Sequence, residues 1–198
     1  MTQHQTVALN TPSTGYESRR IIQGKTFHVQ HEEVDVKCSV DEAWNEISGN
    51  FVNGAEIAAS LNASHGLSGD LVEGLGAERY LNINFLGKTI EAKERIVEHR
   101  NCGSVREFTY DVYETKGAPI GIKTYNTWYV RQDADGAVFI GSVIIFRANI
   151  AILTGVIGKK LAQSGSLRTG LLTYKHYLET GEKKVAQERL SALYPTVA

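Results

Sequence analysis

The sequence predicts an α+β fold: a curved antiparallel β-sheet of about seven strands wrapped around a long C-terminal helix, with two short helices after the first strand. Three observations carry this. Between Leu61 and Arg147, six consecutive segments alternate apolar and polar residues with period two, the signature of half-buried strands. The connectors between them are short and rich in turn residues, so they join antiparallel neighbours; a parallel pair needs a crossover of a dozen residues or more. From Asn149 to about Thr180 there is no proline, and apolar and small residues recur at spacings of three and four. A meander of that size must cover one face, and only the final helix is long enough to do so.

The elements follow in order. Residues 1–24 are polar, carry Pro12, Gly15 and several Ser and Thr, and read as an N-terminal arm with Ile21 and Ile22 near its end. Residues 25–181 form the domain. Lys25 to Cys38 is its first strand, ending in Val34, Val36 and Cys38 alternating with Glu33, Asp35 and Lys37. Ser39 followed three residues later by Glu42 is a capping box. It opens a helix over Val40–Ile47, with Val40, Ala43, Trp44 and Ile47 on one face. Gly49-Asn50 ends that helix, and a second short one is expected near Phe51–Ser60. The six strands are Leu61–Leu67, Ala77–Leu86, Lys88–His99, Val105–Glu114, Ile120–Arg131 and Val138–Arg147. Residues 182–198 are expected to form a helical extension beyond the stop at Gly181.

The final helix carries Gly155, Gly158, Gly165 and Gly170 in its interior, each disfavoured by about 1 kcal/mol relative to alanine. Projected at 100° per residue, Leu153, Val156, Leu167, Leu171, Tyr174 and Leu178 share one side and pack on the sheet. The small residues fall opposite, facing outward, where they would suit flexibility or close approach of a partner helix; a homodimer is one expected partner. Lys160 and Ser164 interrupt the leucine side at mid-helix, where an internal space is expected.

With 42% hydrophobic and 22% charged residues, the composition is that of an ordinary globular domain. A formal net charge of −1 argues against nucleic acid as partner. Cys38 and Cys102 lie far apart with no ligand-like spacing, which fits free thiols in a reducing cytosol. The start lacks a signal-peptide pattern, and Lys159, Lys160 and Arg168 interrupt the most apolar stretch, so a cytoplasmic protein without a membrane span is expected.

No HExxH, CxxC, GxSxG or phosphate-cradling loop occurs, and the histidines His4, His28, His31, His65, His99 and His176 are scattered; neither metal nor cofactor is expected. Glu94 shares the parity of Ala92 and Ile96 and so points from an apolar strand face. A desolvated carboxylate there could act as acid or base; equally, it could be a structural group paired with Arg79 or Arg106. Tyr110 shares its face with Phe108 and Val112. On the next strand either Tyr125, Thr127 and Tyr129 or Asn126 and Trp128 line the interior; the alternation leaves both open. Glu94 and Tyr110 are the catalytic candidates. Tyr110, Phe108, Tyr125, Asn126, Trp128, Leu167, Leu171 and Tyr174 are the ligand-binding candidates. His65 is a lesser candidate base, more simply a surface histidine.

Several segments in this order resemble the START-like (SRPBCC) superfamily, within it the polyketide cyclase/dehydrase-type proteins. They are Val34–Trp44, Gly76-Ala77-Glu78-Arg79, Ile90–Val97, Tyr125–Val130 and Gly170–Glu179, and the resemblance spans roughly Phe27 to Gly181. It implies a helix-grip fold with an internal pocket for hydrophobic small molecules. Relatives carry a proline-containing stretch after the first helix; here Phe51-Val52-Asn53-Gly54-Ala55-Glu56 implies a differently built mouth. The fold hosts many activities and does not name one. Three functions are therefore expected in order: binding, transport or sequestration of a hydrophobic or amphipathic small molecule; a cyclase, aromatase or dehydratase using Tyr110, Tyr125, Asn126 or Glu94; and an interaction module on the outward face of the final helix.

Overall fold

The computed structural model describes residues 20–22, 25–85, 88–103, 105–118, 122–149 and 151–195. The strands are β1 (Arg20–Ile22), β2 (Lys25–Val36), β3 (Leu61–Gly66), β4 (Glu78–Phe85), β5 (Lys88–Arg100), β6 (Val105–Lys116), β7 (Ile122–Gln132) and β8 (Val138–Ala148). The helices are α1 (Val40–Gly49), α2 (Ala151–Ser164), α3 (Ser166–Thr180) and α4 (Gln187–Leu193). One antiparallel sheet runs β1-β2-β8-β7-β6-β5-β4-β3, so α1 and the turn after it carry the chain from β2 across to β3 at the far edge. This is the expected helix-grip α+β architecture, seven main strands with the three-residue β1 added beside β2. Of the expected arm, only Arg20–Ile22 fall within the described residues, as strand. Register shifts at Lys93/Glu94 and Ile96/Glu98 mark bulges that bend the β5–β6 pair.

The capping box forms as the spacing predicts. The Glu42 amide donates to Ser39 Oγ at 3.2 Å, and the Ser39 amide donates to Glu42 Oε2 at 2.8 Å. α1 then buries Ala43, Trp44 and Ile47 against the inner face of the sheet. The second expected helix shrinks to a single 3-10 turn, Gly54–Glu56. Phe51 and Val52 plunge into the core, and the Phe51 carbonyl, which a helix would use internally, accepts from Arg79 Nη1 at 2.6 Å.

The final helix is not continuous. Gly165 adopts φ 62°, a left-handed conformation that glycine tolerates and that separates α2 from α3. The break resets the helical phase, so one projection cannot describe both halves. In α3 the expected side is right: Leu167 and Leu171 are buried, and Tyr174 and Leu178 pack on the core. In α2 it is reversed. Leu153, Val156 and Lys160 are exposed, while Thr154 and Gly158 are buried. A Cβ on Gly158 would lie 2.5 Å from His28 Nδ1, so this glycine admits the β2 imidazole rather than a partner helix. Gly155 alone of the two α2 glycines faces open space.

The outer face of the sheet holds a smaller apolar cluster, Phe27, Tyr129, Val143 and Ile145. Beside it, the Tyr129 ring lies across Gly141, where any Cβ would collide with it, and reaches β2. Tyr129 Oη donates to Glu33 Oε2 at 2.7 Å, and Arg131 Nε donates to the same oxygen at 2.7 Å. The tyrosine has one proton, so His31 Nε2, 2.6 Å away, is the donor to Tyr129 Oη. Burial, opposed by Glu33, holds the His31 pKa below its ordinary value. Burial raises the Glu33 pKa, but the Arg131 and Tyr129 hydrogen bonds more than reverse this.

After α3, the chain turns at Gly181 and the Lys184 amide donates to Ile57 O at 2.8 Å. Val185 and Leu190 are buried, and buried His176 bonds Glu182 at 3.0 Å and Tyr194 at 3.1 Å. Among the described residues no helix is long and apolar enough to cross a membrane.

Candidate functional site

Cross-strand register arranges the inner face in rows. One row reads Gln30, Ile144, Asn126, Tyr110 and Ile96 across β2, β8, β7, β6 and β5. The row on one side of it ends in Thr124, Val112, Glu94 and Arg79; the row on the other reads Glu32, Ser142, Trp128 and Phe108. Because parity fixes the face, Asn126 and Trp128 belong to the interior. Tyr125 pairs with Asp111 and Ile145 on the outer face, so it lies across the sheet from Asn126 and Trp128 and not with them as expected. His65, paired with Tyr80, is exposed and stacks on that ring at 4.9 Å.

Arg79 is the centre of the arrangement. Its Nε donates to Glu94 Oε2 at 2.7 Å and its Nη2 lies 2.6 Å from the same oxygen. Its guanidinium carbon sits 4.3 Å from the Phe51 ring centroid and 5.1 Å from that of Tyr110. Both ends of the ion pair are buried, with side-chain exposures of 11% and 8%. Burial works against the Arg79 charge, but Glu94 outweighs it and the guanidinium is held firmly protonated. For Glu94 burial wins: its pKa is raised even though Arg79 pulls it down. The expected partner Arg106 instead meets Asp41 of α1 at 2.5 Å.

Beside this pair a second chain of hydrogen bonds crosses three strands. Ser142 Oγ donates to Asn126 Oδ1 at 2.7 Å, and Asn126 Nδ2 donates to Tyr110 Oη at 2.8 Å. Burial, reinforced by Glu94, raises the Tyr110 pKa, so its hydroxyl is neutral. Phe108 lies under α1 and the following turn, edge-on to Trp44 and Phe51. From α3, Leu171 is wholly buried, and the Tyr174 ring meets Trp128 edge-on at 5.2 Å. A Cβ on Gly54 would lie 3.5 Å from Arg79 Nη1 and 3.8 Å from Tyr174 Oη, which brings this hydroxyl to the Arg79 centre. Tyr174 Oη makes no hydrogen bond to the described residues, although burial raises its pKa.

The structure thus gathers Glu94, Tyr110, Asn126, Trp128 and Tyr174, sets Phe108 and Leu171 in the same apolar core, buries Leu167 without bringing it to this group, and places Tyr125 on the outer face. Sequence reasoning missed Arg79 as the hub, and missed Ser142, Phe51 and Gln30. Parity was the available signal: Arg79 alternates in phase with Leu81 and Ile83, Ser142 with Ile140 and Ile144, and Gln30 with Val34 and Val36. Among the described residues no group of three or more His, Cys, Asp or Glu could hold a metal ion.

No protein-family model matches the sequence, and no curated protein matches it. Solved structures do. Norcoclaurine synthase from Thalictrum flavum, solved in complex with dopamine and hydroxybenzaldehyde, shares 16% identity at a TM-score of 0.53, covering 90% of this chain and 99% of that one. Ara h 8.0201 shares 13% identity at a TM-score of 0.55, covering 77% of this chain and 97% of that one. A hypothetical protein from Helicobacter pylori shares 15% identity at 0.56, covering 83% and 99%. At such identities the likeness speaks for the fold alone, and that fold is the α+β helix grip.

Proposed function

We propose that this chain binds a hydrophobic or amphipathic small molecule between the inner face of the sheet and α3. The observation that carries this reading is Tyr174 Oη, a hydroxyl beside Arg79 and Trp128 that has no internal partner among the described residues. Around it the wall is apolar and aromatic, the lining that small-molecule sites favour, with a few polar groups to fix orientation. Norcoclaurine synthase, a protein of the same fold, is solved with two small aromatic molecules, which supports this class of ligand. Binding is preferred to turnover because both proton-transfer candidates are engaged. Glu94 is taken by Arg79, and the Tyr110 hydroxyl accepts from Asn126 with a raised pKa, a poor base at neutral pH.

Native mass spectrometry of the purified chain, followed by thermal melts with small aromatic and aliphatic ligands, tests this. A ligand present at a hundred times its Kd stabilises the folded state by about 2.7 kcal/mol, and Tyr174→Leu should weaken that effect. No bound mass and no stabilisation by any apolar ligand would refute the reading.

A further inference from the structure

At the centre of the inner face Arg79 bonds Glu94 and Asn126 links Ser142 to Tyr110, which leaves Tyr174 Oη; two further atoms stand apart from that centre. Gln30 is 2% exposed, yet its Oε1 has no hydrogen-bond partner among the described residues, and Arg168 Nε is likewise buried and without a partner among them. A buried polar atom left unpaired is costly, so two on facing elements call for a shared explanation. The contacts of α3 with β2 set their relative places. Lys175 Nζ donates to Asp35 O at 2.7 Å, and Glu179 Oε1 accepts from the Lys37 amide at 3.1 Å, so α3 runs along β2 in the same direction. Arg168, Lys175 and Glu179 lie within about 40° of one another around the helix axis, which turns Arg168 toward β2 as well. Arg168 precedes Lys175 by two turns, about 10 Å of helix, or about three residues of strand. That brings it level with Glu32, the inner-face neighbour of Gln30.

We infer that Gln30 and Arg168 form the polar end of the ligand site and take a neutral hydroxyl, the head of an alcohol or a phenol. A hydroxyl oxygen accepts from Arg168 Nε–H and donates to Gln30 Oε1 with one atom, as a carboxylate, an acceptor only, does not. Glu32, one pleat from Gln30 on the same face, adds a carboxylate to this end of the site, so an anionic ligand gains little there. The left-handed Gly165 separates α2 from α3 just ahead of Arg168, so no continuous helical turn precedes this end of α3. The inference rests on the binding reading above and narrows it to a chemical class.

The test compares three probes of one shape, 2-naphthol, 2-methylnaphthalene and 2-naphthoate, by calorimetric titration of the full chain. The naphthol should bind about fivefold more tightly than the methyl analogue, the value of one hydrogen bond of ordinary net strength, and the naphthoate no better than the methyl analogue. Gln30→Leu and Arg168→Leu should each abolish the naphthol preference and leave methylnaphthalene affinity within about twofold. Equal affinity for naphthol and methylnaphthalene, or tightest binding of naphthoate, overturns the inference while the binding reading stands. Failure of all three probes to bind overturns both. The wild-type ranking decides the matter even if a variant does not fold.

Discussion

Arg79→Met is the most informative single change. The methionine fills similar volume but leaves Glu94, 8% exposed, without its partner, and strips the Phe51 carbonyl of its donor at 2.6 Å. Breaking a buried ion pair costs about 3–5 kcal/mol, because the remaining charge is stranded in a poorly polarisable interior. The lost carbonyl bond alone accounts for about 1 kcal/mol, and the two do not simply add, since the carboxyl can relieve its own penalty by protonating. A total of about 3–5 kcal/mol is a large share of the 5–15 kcal/mol typical of a domain, yet leaves a folded protein. Removing both charges tells pairing from packing: Arg79→Met with Glu94→Leu should be more stable than Arg79→Met alone by about 2 kcal/mol or more. Urea unfolding at neutral pH, with unchanged slope, measures all three. A pH series adds an independent check. Glu94 has a folded-state pKa raised above 4.5, so protonation favours the fold as pH falls through that raised value. Without Arg79 the rise is larger, and the gap between wild type and Arg79→Met should narrow on acidification. A loss below about 1 kcal/mol, or a double variant no more stable than the single, would show that the pair does not organise this face.

Two further outcomes are expected. Gly158→Val should lower the melting temperature by several degrees without changing the subunit count, because the new Cβ meets His28 at 2.5 Å within the same chain; a stable variant with altered oligomeric state would instead return this glycine to a partner surface. The outer-face cluster should make the protein acid-sensitive in two steps. His31 has a folded pKa below 6.5, so its contribution is complete above pH 6.5 and is lost as pH falls below it; Glu33 has one below 4.5, so its contribution is lost below pH 4.5. Tyr129→Phe, which removes one of the hydrogen bonds that lower the Glu33 pKa, should shrink the step below pH 4.5 and leave the burial-driven His31 step in place; thermal melts between pH 7 and 3 check this, and an unchanged acid step would exclude the cluster as its source.

The strands were legible because each carries a period-two pattern bounded by turn residues, and a one-residue error would expose a whole apolar face. β1 was not, since Arg20–Ile22 offers three residues in a polar context and owes its pairing to Lys25–Phe27. The short second helix failed because a side chain distant in sequence, Arg79, claims the Phe51 carbonyl. Gly165 could not be told from Gly155 or Gly170 by composition; only its φ makes it a break. That one angle misdirected the whole α2 projection and with it the reading of the small residues as an outward stripe. At the site, parity sufficed for Tyr110 and Trp128 but not for β7 as a whole, where Tyr125, Thr127 and Tyr129 formed an equally good inner set. The outer face is itself buried around Tyr129 and Ile145, so hydrophobicity does not separate the two sides.

Of the α2 glycines that first suggest a partner helix, Gly158 admits a side chain of the same chain, while Gly155 faces open space. Gly158 makes room for His28, and a Cβ on Gly170 would lie 3.9 Å from the Trp128 ring. What remains open is polar rather than small. Arg79 and Glu94 satisfy each other, and Ser142, Asn126 and Tyr110 do the same across three strands, an arrangement that needs no ligand to be stable. Among the described residues Gln30 Oε1 and Arg168 Nε are buried without partners, and Tyr174 Oη, at the Arg79 centre, makes no hydrogen bond. All three lie on α3 or on the strand it packs against. Local rules of polar satisfaction are broken where function needs them to be. Gln30 and Arg168 on the seam between α3 and β2, with Tyr174 at the Arg79 centre, are therefore the groups that the proposed ligand would complete.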